Sequence, residues 1–412
     1  MPSSHNFNKI LPKEFTVKNH ELYIGSKSIT QLMSDLGSLP CYIYHKNSIL
    51  EQIAKLRTYL PKSIALHYAI KANPMPQLIQ YLAHQVDGFD VASEHELKMA
   101  LNTTMSRQDM SFAGPGKSLA ELRLAIKNEV LINCESKTEL QRIEEIAKSE
   151  KLNARVSIRV NPDYSLKASG MKMGGGAQQF GIDAEQVPQL LKNWPQSHVN
   201  FEGFHIFSGS QNLNAKSIIE CQNQTFELAA NLSEYAPNAP KMINIGGGFG
   251  IPYFPKDAPL ELEPIGENLK LQLEKFKKRL PQAKFIIELG RYMVGPSGIY
   301  ICEIVDIKIS RGQLFYIVNG GLNHHLSASG NFGQIIRKNY PVAVLSKMHV
   351  PENTIATVVG PLCTPLDLLG DRMPLAKAEI GDLIGIFQSG AYGFSASPQG
   401  FLSHPSAKEV LI

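Results

Sequence analysis

The sequence predicts an α/β protein in which a (β/α)8 barrel is followed by a smaller domain of β-strands. From residue 46, short apolar runs alternate with longer segments whose apolar residues recur at spacings of three and four, which is the pattern of strands joined by amphipathic helices. Eight such runs precede residue 292. Beyond it, apolar runs are separated mainly by Gly, Pro, Asn and Asp, a pattern typical of β-rich domains.

The predicted barrel strands occupy 63–71, 87–91, 109–113, 129–134, 154–162, 198–207, 240–246 and 283–288. Helical candidates between them are 74–85, 93–103, 117–127, 136–150, 214–236 and 262–280. Eight β/α units within roughly 240 residues match a closed barrel. A doubly wound open sheet would give a similar succession of elements and is the alternative.

The two ends of the chain share a strand-rich character. The segments FTVKNHELYIG and PCYIYH lie in the first 45 residues, and YICEIVDIKIS and QLFYIVNGG follow residue 292. We therefore predict that residues 46–291 form the barrel. Residues 1–45 and 292–412 are predicted to form an antiparallel β-sandwich or barrel domain.

Composition limits the functional classes. The formal net charge is only +4 and the Lys and Arg residues are scattered, so no concentrated basic face for nucleic acid is expected. No run of 18 or more apolar residues occurs, which argues against a membrane span, and the first residues lack the apolar core of a signal peptide. The five cysteines show no CxxC spacing, so we expect free thiols, no metal site and a cytoplasmic location.

Chemically active residues recur where the predicted strands end, which is the face of a (β/α)8 barrel that carries its chemistry. These residues are Lys71, Asp90, Glu135, Arg159, Asn161, His205, Ser208, Gly246, Gly247, Gly248, Glu288 and Arg291. Each has an ordinary structural interpretation. Lys71 could be a surface lysine, His205 a core histidine, the glycines a tight turn, and Glu288 with Arg291 an ion pair.

Together these residues indicate one ligand. A lysine delivered to a barrel mouth by an apolar strand becomes less basic and can form a Schiff base with a carbonyl. Successive glycines after a strand expose backbone N–H groups that suit a phosphate. His205 could stack on a flat ring and Glu288 could pair with a basic ring nitrogen. Pyridoxal phosphate offers all four features.

The motifs resemble those of fold-type III pyridoxal-phosphate enzymes, the alanine-racemase-like barrels, and within them the diaminopimelate, ornithine and arginine decarboxylases. The resemblance is carried, in order, by HYAIKAN, GFDVASEHEL, GPGKS, RVNP, FHIFSGSQ, NIGGGFG, ELGRY, GPLCTPLD and SGAYG. It spans nearly the whole chain and implies a pyridoxal-phosphate-dependent amino-acid decarboxylase, a carboxy-lyase of biosynthesis. The FHxxSG, GPxC and GAY combination distinguishes the decarboxylases from the racemases.

By this resemblance Lys71 would hold the cofactor as a Schiff base, His205 would stack on its ring, and Glu288 would keep the ring nitrogen protonated. Asp90 and Arg159 would lie near the same ring. The residues expected around the phosphate are Ser208, Gly247, Gly248, Gly290, Arg291 and Tyr392.

The resemblance also implies a homodimer in which the β domain of one subunit completes the active site of the other. Cys363 would come from that domain and return a proton to the substrate, whereas a lone cysteine could equally be an apolar filler. The residues expected to contact the substrate are Arg291, Cys363, Thr364 and Tyr392.

The residue after Cys363 bears on the substrate. Decarboxylases of free diaminopimelate or ornithine generally carry an acidic residue there, whereas this chain has Thr364. A neutral hydroxyl compensates poorly for a buried ammonium group, although Asp367 could partly compensate. The chain is similar to decarboxylases of specialised metabolism that act on carrier-protein-bound glutamate or on siderophore precursors. We expect such a conjugated substrate, with free diaminopimelate, lysine or ornithine as the alternative.

Two further alternatives belong to other classes. A non-catalytic pyridoxal-phosphate-binding protein would keep Lys71 but would not need Cys363. An aldolase or isomerase barrel would use a lysine Schiff base without the cofactor. Residues 164–179 are rich in Gly and Lys and could form a lid, an exposed loop or, through Lys167 and Lys172, a contact to an acidic carrier protein.

Overall fold

A computed structural model describes residues 11–37, 39–167, 170–195, 197–254, 256–332, 334 and 337–412. The chain divides into two compact units. The barrel unit comprises Ile53–Gly250 and Leu260–Gly290. The β unit comprises the described residues up to Gln52, together with Ile251–Pro259 and Arg291–Ile412.

Before the barrel, the strands are β1 (Phe15–Lys18), β2 (Glu21–Ile24), β3 (Lys27–Ser28) and β4 (Cys41–Tyr44). The helices are α1 (Ile29–Leu36) and α2 (Lys46–Tyr59). β1, β2 and β3 form a small antiparallel sheet.

The strands of the barrel unit are β5 (Ile64–Ala69), β6 (Gly88–Val91), β7 (Met110–Phe112), β8 (Leu131–Cys134), β9 (Ala154–Asn161), β10 (Met171–Lys172), β11 (Ile182–Asp183), β12 (Val199–Ile206), β13 (Gly209–Ser210), β14 (Met242–Gly247) and β15 (Lys284–Leu289). Its helices are α3 (Pro76–Leu82), α4 (Glu94–Leu101), α5 (Leu119–Lys127), α6 (Lys137–Glu150), α7 (Val187–Lys192), α8 (Ala215–Ser233) and α9 (Glu263–Phe276).

Eight parallel strands close on themselves. Their order is β9-β12-β14-β15-β5-β6-β7-β8, and a further pairing of β8 with β9 joins the two ends. The predicted closed barrel is therefore confirmed and the open-sheet alternative is wrong. All eight predicted strands occur, because each apolar run is short enough for a strand and is followed by a helix that brings the chain back.

Three consecutive helices begin with the same local motif. Ser93, Ser118 and Ser136 each accept a hydrogen bond from the backbone N–H of a glutamate three residues later. At Ser118 the glutamate also reaches back, so that the capping box is complete. These Ser-x-x-Glu sequences fix where each helix starts, and so they set the lengths of the loops that lead from β6, β7 and β8.

The barrel lumen is layered because inward-facing residues alternate along each strand. Ala65, Leu131, Met242 and Ile286, from four different strands, form one apolar cluster. Two residues further along the chain lie polar groups, including His67 on β5, Asn244 on β14 and Glu288 on β15. The apolar layer thus lies towards the amino-terminal ends of the strands, and the polar residues lie nearer the active face.

In the β unit, the C-terminal strands are β16 (Gly298–Ser310), β17 (Gln313–Val318), β18 (Val342–Val344), β19 (Thr354–Val359), β20 (Leu368–Leu375), β21 (Leu383–Ile386) and β22 (Lys408–Leu411), preceded by helix α10 (Arg291–Val294). Their main order is β18-β21-β16-β17-β19-β20, and β4 pairs with both β16 and β22. The predicted recruitment of the N-terminal segment PCYIYH is thus observed in β4.

The β domain was predicted to be antiparallel, but two of its described strand pairs are parallel. β17 with β19 and β22 with β4 are parallel, so the sheet is mixed. Long connections allow this, since a parallel pair cannot be joined by a tight hairpin. Within the described ranges, no helix has the length and apolarity needed to cross a membrane.

Candidate active site

Lys71 lies in a short 3-10 turn, Ile70–Ala72, that directly follows β5. Its Nζ is 3.8 Å from Oε1 of Glu288 and 5.7 Å from the centre of the Phe207 ring. The side chain is 41% exposed whereas that of Glu288 is 6% exposed. The amine therefore lies at the open, carboxyl-terminal end of the barrel, beside a buried carboxylate, as the sequence predicts.

Glu288 is held by two neighbouring side chains. His205 Nε2 lies 3.0 Å from Glu288 Oε2, and Asn244 Nδ2 lies 3.5 Å from the same oxygen. Burial alone would raise the pKa of Glu288, but the His205 hydrogen bond and the nearby Lys71 charge outweigh it, so the pKa lies well below its usual range. Glu288 is consequently ionised at neutral pH.

His205 projects from β12 and is buried. The sequence predicted that its ring stacks on the cofactor, and the structure adds a hydrogen bond to Glu288. The other ring nitrogen, Nδ1, is buried and has no hydrogen-bond partner among the described residues. A buried polar atom of this kind is costly unless a ligand or water satisfies it.

Arg159 is paired with Glu135 across the strand ends. The distance from Arg159 Nη1 to Glu135 Oε1 is 2.7 Å, and both side chains are buried. Glu135 also accepts hydrogen bonds from the backbone N–H groups of Gly114 and Gly181. Burial raises the pKa of Glu135, but Arg159 and Lys117 lower it more, and the net pKa is lowered. Glu135 thus joins three loops at the barrel mouth.

Asp90 begins a hydrogen-bonded chain through the lumen. Its Oδ1 accepts from Ser111 Oγ at 2.5 Å and lies 3.3 Å from His67 Nδ1. Asn133 then donates to Ser111, and Ser157 donates to Asn133. The chain crosses five consecutive strands, from β5 to β9.

The glycine segment after β14 adopts a conformation that side chains disfavour. Gly246 and Gly248 have φ values of 71° and 76°, in the left-handed region. A Cβ on Gly247 would clash with the carbonyl oxygen of Glu288. Gly247 also lines one small cavity together with Ser208. The structure therefore brings together two of the residues predicted around a phosphate.

Gly290 packs closely against the turn that carries Lys71. A Cβ at this position would lie 2.6 Å from Cβ of Ala72 and 3.2 Å from the carbonyl oxygen of Ala69. These residues flank Lys71 on both sides, so any larger residue at 290 would displace the turn that carries the amine.

In the β unit, Arg291 is a partly buried cation. Its Nη1 donates to the Tyr253 hydroxyl at 2.6 Å, and its guanidinium carbon is 4.6 Å from the centre of the Tyr392 ring. Nε is buried without a hydrogen-bond partner among the described residues, and no carboxylate of those residues forms an ion pair with it. A partly buried guanidinium whose Nε is still unsatisfied suits an anionic ligand.

Cys363 and Thr364 lie in an exposed turn of the β unit. Asp367, which follows them, is 3% exposed. Its Oδ1 accepts from the backbone N–H of Leu322 at 2.6 Å and its Oδ2 from that of Leu362 at 2.8 Å. The carboxylate is therefore buried and bonded to the backbone, which disfavours the suggested contact with a substrate ammonium group.

A groove larger than the cavity at Ser208 and Gly247 lies beside helices α6 and α7. A cavity of about 920 Å³ is lined by Glu135 and by residues of α6, β11 and α7, and Lys71, His205 and Glu288 are absent from its lining. We assign it no part in the chemistry.

The described residues thus bring together Lys71, His205 and Glu288 at one place and Ser208 with Gly247 at another.

Sequence reasoning gave no role to Glu135 and missed His67 and Asn244. A signal existed for Asn244, because an Asn two residues before a glycine turn commonly accepts from the backbone, as its Oδ1 does from Gly246 N–H. For His67 the signal was the alternation of side chains along β5. It lies two residues after Ala65, whose side chain belongs to the apolar cluster in the lumen, so it faces the same way. Residues 168 and 169 of the suggested lid lie outside the described ranges.

A family model described as the pyridoxal-binding domain of pyridoxal-dependent decarboxylases matches residues 46–295. The chain belongs to this family. It is 37% identical to the L-glutamyl-[BtrI acyl-carrier protein] decarboxylase of Niallia circulans over 90% of this chain and 88% of that protein.

The chain is also similar to a second curated decarboxylase and to a solved decarboxylase structure. The chain is 30% identical to the 2-[(L-alanin-3-ylcarbamoyl)methyl]-2-hydroxybutanedioate decarboxylase of Staphylococcus aureus, over 93% of this chain and 96% of that protein. It superposes on diaminopimelate decarboxylase from Helicobacter pylori complexed with L-lysine with a TM-score of 0.81, at 26% identity over 93% of this chain and 94% of that one. The protein is a pyridoxal-phosphate-dependent carboxy-lyase.

The residues of this decarboxylase fit its cofactor. Lys71 supplies an amine beside a buried, ionised carboxylate, and the unsatisfied Nδ1 of His205 lies in the same cluster. In the glycine turn the backbone packs so closely that an added Cβ would clash at Gly246, Gly247 and Gly248. In the β unit, the buried Nε of Arg291 offers a further donor to an anion.

Proposed function

We propose that this decarboxylase acts on an amino acid whose distal end is conjugated to a larger group, such as a carrier-protein thioester or a siderophore precursor. The observation that carries the proposal is the Cys363 turn, whose one carboxylate, that of Asp367, is 3% exposed and already bonded to the backbone. Thr364 is neutral, and both oxygens of Asp367 are used by backbone N–H groups. A conjugated distal end carries no ammonium that must be neutralised.

The named substrates of two relatives support this choice. The Niallia circulans enzyme is named for a carrier-protein-bound glutamyl group, and the Staphylococcus aureus enzyme for an alanine unit joined to a hydroxybutanedioate. In both names the amino acid is part of a larger molecule. The alternative is decarboxylation of free diaminopimelate, which the Helicobacter pylori relative represents.

When bound, pyridoxal phosphate provides an electron sink for the pair left at Cα as CO2 departs. Lys71 would hold the cofactor covalently through its amine, and Glu288 would keep a proton on the ring nitrogen. His205 engages Glu288 Oε2, and Oε1 is the oxygen that lies 3.8 Å from Lys71 Nζ. The residues that would bind the phosphate are Ser208, Gly247, Gly248, Gly290, Arg291 and Tyr392.

The proton balance requires one further residue. Decarboxylation replaces the carboxylate with a proton, and the exposed thiol of Cys363 is the group that returns it to Cα. Arg159 and Asp90 orient the ring region from the barrel. We further propose a homodimer in which Cys363 and Thr364 of one subunit complete the active site of the other, with Arg291 and Tyr392 contacting the substrate as well.

The test is a decarboxylation screen that measures CO2 release with pyridoxal phosphate present. Free diaminopimelate, lysine, ornithine and glutamate are compared with carrier-bound glutamyl and citryl-diamino-acid conjugates. We expect kcat/KM for a conjugate to exceed that of every free amino acid by at least about 100-fold, the selectivity that unpaired buried polar groups can impose. Equal or faster turnover of free diaminopimelate would reject the conjugated substrate.

A further inference from the structure

The turn that carries Cys363 is closed by one side chain. We define the cysteine loop as residues 360–367, GPLCTPLD. The Gly360 N–H donates to the carbonyl oxygen of Asp367 at 3.2 Å, and the Asp367 N–H donates to that of Thr364 at 3.2 Å. The Asp367 carboxylate then accepts from Leu362, the residue directly before Cys363. Three of the loop's bonds therefore converge on Asp367.

The same carboxylate attaches the loop to a second segment of the β unit. Its other oxygen accepts from the backbone N–H of Leu322, 45 residues away in sequence. The loop is thus fastened both to itself and to the turn that follows β17. Removing this side chain would free both attachments at once.

Two glycines make room for the carboxylate. A Cβ added to Gly321 would clash with the oxygens of Asp367, and one added to Gly360 would do the same. The backbones of both glycines therefore lie close to the carboxylate. The slot accepts an aspartate side chain only because neither neighbour has a side chain of its own.

The carboxylate is buried without a cation bonded to it among the described residues. Burial raises the pKa of Asp367, whereas the N–H groups of Leu322 and Leu362 and the nearby His324 and His404 lower it, and the pKa remains raised. Such a buried group is expensive to keep. What its hydrogen bonds hold is the loop that carries the exposed Cys363, four residues earlier.

We infer that Asp367 is a positioning residue that holds Cys363 in the geometry needed to protonate Cα. The inference rests on the proposed role of Cys363 as the proton donor. The carboxylate leaves as CO2, the electron pair remains at Cα, and the Cys363 S–H bond breaks as the new C–H bond forms. Solvent then reprotonates the thiolate. A thiol displaced by about 1 Å would deliver this proton poorly.

The principal variant is Asp367→Asn, which keeps the shape but presents an amide NH2 to one of two N–H donors. The matched control is Asp371→Asn, because Asp371 lies four residues further on with a side chain that is 39% exposed. The first readout is the amine formed per CO2 released, which equals one when the proton reaches Cα. For Asp367→Asn we expect this ratio to fall and kcat for amine formation to drop at least about tenfold, with KM and cofactor absorbance unchanged.

The second readout does not depend on activity. Hydrogen exchange of the Leu322 and Leu362 amides should accelerate at least about tenfold in Asp367→Asn and stay at the wild-type rate in Asp371→Asn. Should Asp367→Asn fail to fold, Gly321→Ala disturbs the same carboxylate from its neighbour and must give the same fall in the amine ratio.

A folded Asp367→Asn or Gly321→Ala with a wild-type amine ratio would overturn the inference. Absence of CO2 release from every substrate in the wild-type enzyme would instead reject the proposed function. Unchanged hydrogen exchange at Leu322 and Leu362 would overturn the inference even in that case.

Discussion

His205 Nε2 and Glu288 Oε2 lie 3.0 Å apart although the two residues are on β12 and β15, which are separated by β14 in the barrel. The contact spans 83 positions of sequence. Asn244, on the intervening strand, approaches the same carboxylate oxygen and also accepts from the Gly246 N–H. The glycine turn and the carboxylate are thereby linked through a single amide.

Glu288→Gln should retain the cofactor but slow decarboxylation, because a neutral amide cannot hold a proton on the ring nitrogen. We expect kcat to fall by at least about 100-fold, in line with the loss of one well-placed electrostatic group, with cofactor affinity reduced far less. Stopped-flow absorbance and CO2 release measure both quantities. An unchanged kcat would mean that another group protonates the ring.

Lys71→Ala should abolish both the visible absorbance of the bound cofactor and activity, since no other described residue presents an amine beside Glu288. Lys98→Ala is the control, because Lys98 is 58% exposed and pairs with Glu94 on the surface. Its absorbance and CO2 release should equal those of the wild type. Activity in Lys71→Ala would contradict the assigned role.

Lys117→Met should destabilise the protein by about 3–5 kcal/mol, because it leaves Glu139 as an uncompensated buried charge. Lys117 is 2% exposed and its Nζ donates to Glu139 and to the carbonyl oxygens of Gly114 and Asn133. The control is Lys98→Met, which removes an exposed pair with Glu94 and should cost under about 1 kcal/mol. Urea unfolding compares the two, and equal losses would refute the argument.

Glu135→Gln should make stability less sensitive to acid. The folded-state pKa of Glu135 is lowered, so its contribution is fully present above the unfolded-state pKa and is lost as pH falls through the folded-state value. The wild type should therefore exceed the variant by about 3 kcal/mol at neutral pH, and the difference should shrink in acid. Unfolding at several pH values measures this difference, and a gap that widens as pH falls would contradict it.

Thr364→Asp should favour free diamino acids, because it supplies a carboxylate where the loop has none available. We expect kcat/KM for diaminopimelate to rise at least about tenfold, the gain from pairing a buried ammonium, while turnover of a conjugate falls. Thr364→Asn is the neutral control. A diaminopimelate rate equal to that of the control would place the distal end of the substrate elsewhere.

Much of this architecture could be derived before any coordinates. The eight apolar runs and the helices between them predicted the barrel, since strand and helix periods are local properties of the chain. Lys71 could be placed at the barrel mouth because it directly follows a predicted strand, and the carboxyl ends of the strands form that face of a (β/α)8 barrel. The motifs then led from Lys71, His205 and Glu288 to the cofactor and to decarboxylation.

Local sequence could not reveal which polar groups satisfy one another. The use of both Asp367 oxygens by backbone N–H groups depends on Leu322 and Leu362 meeting in space, and the chain from His67 to Ser157 requires five strands to be in register. Hydrogen bonds between distant segments leave no periodic trace, because each partner is only one polar residue in its own segment. Folding alone determined that Asp367 supports the cysteine loop and that Glu288 is held by His205.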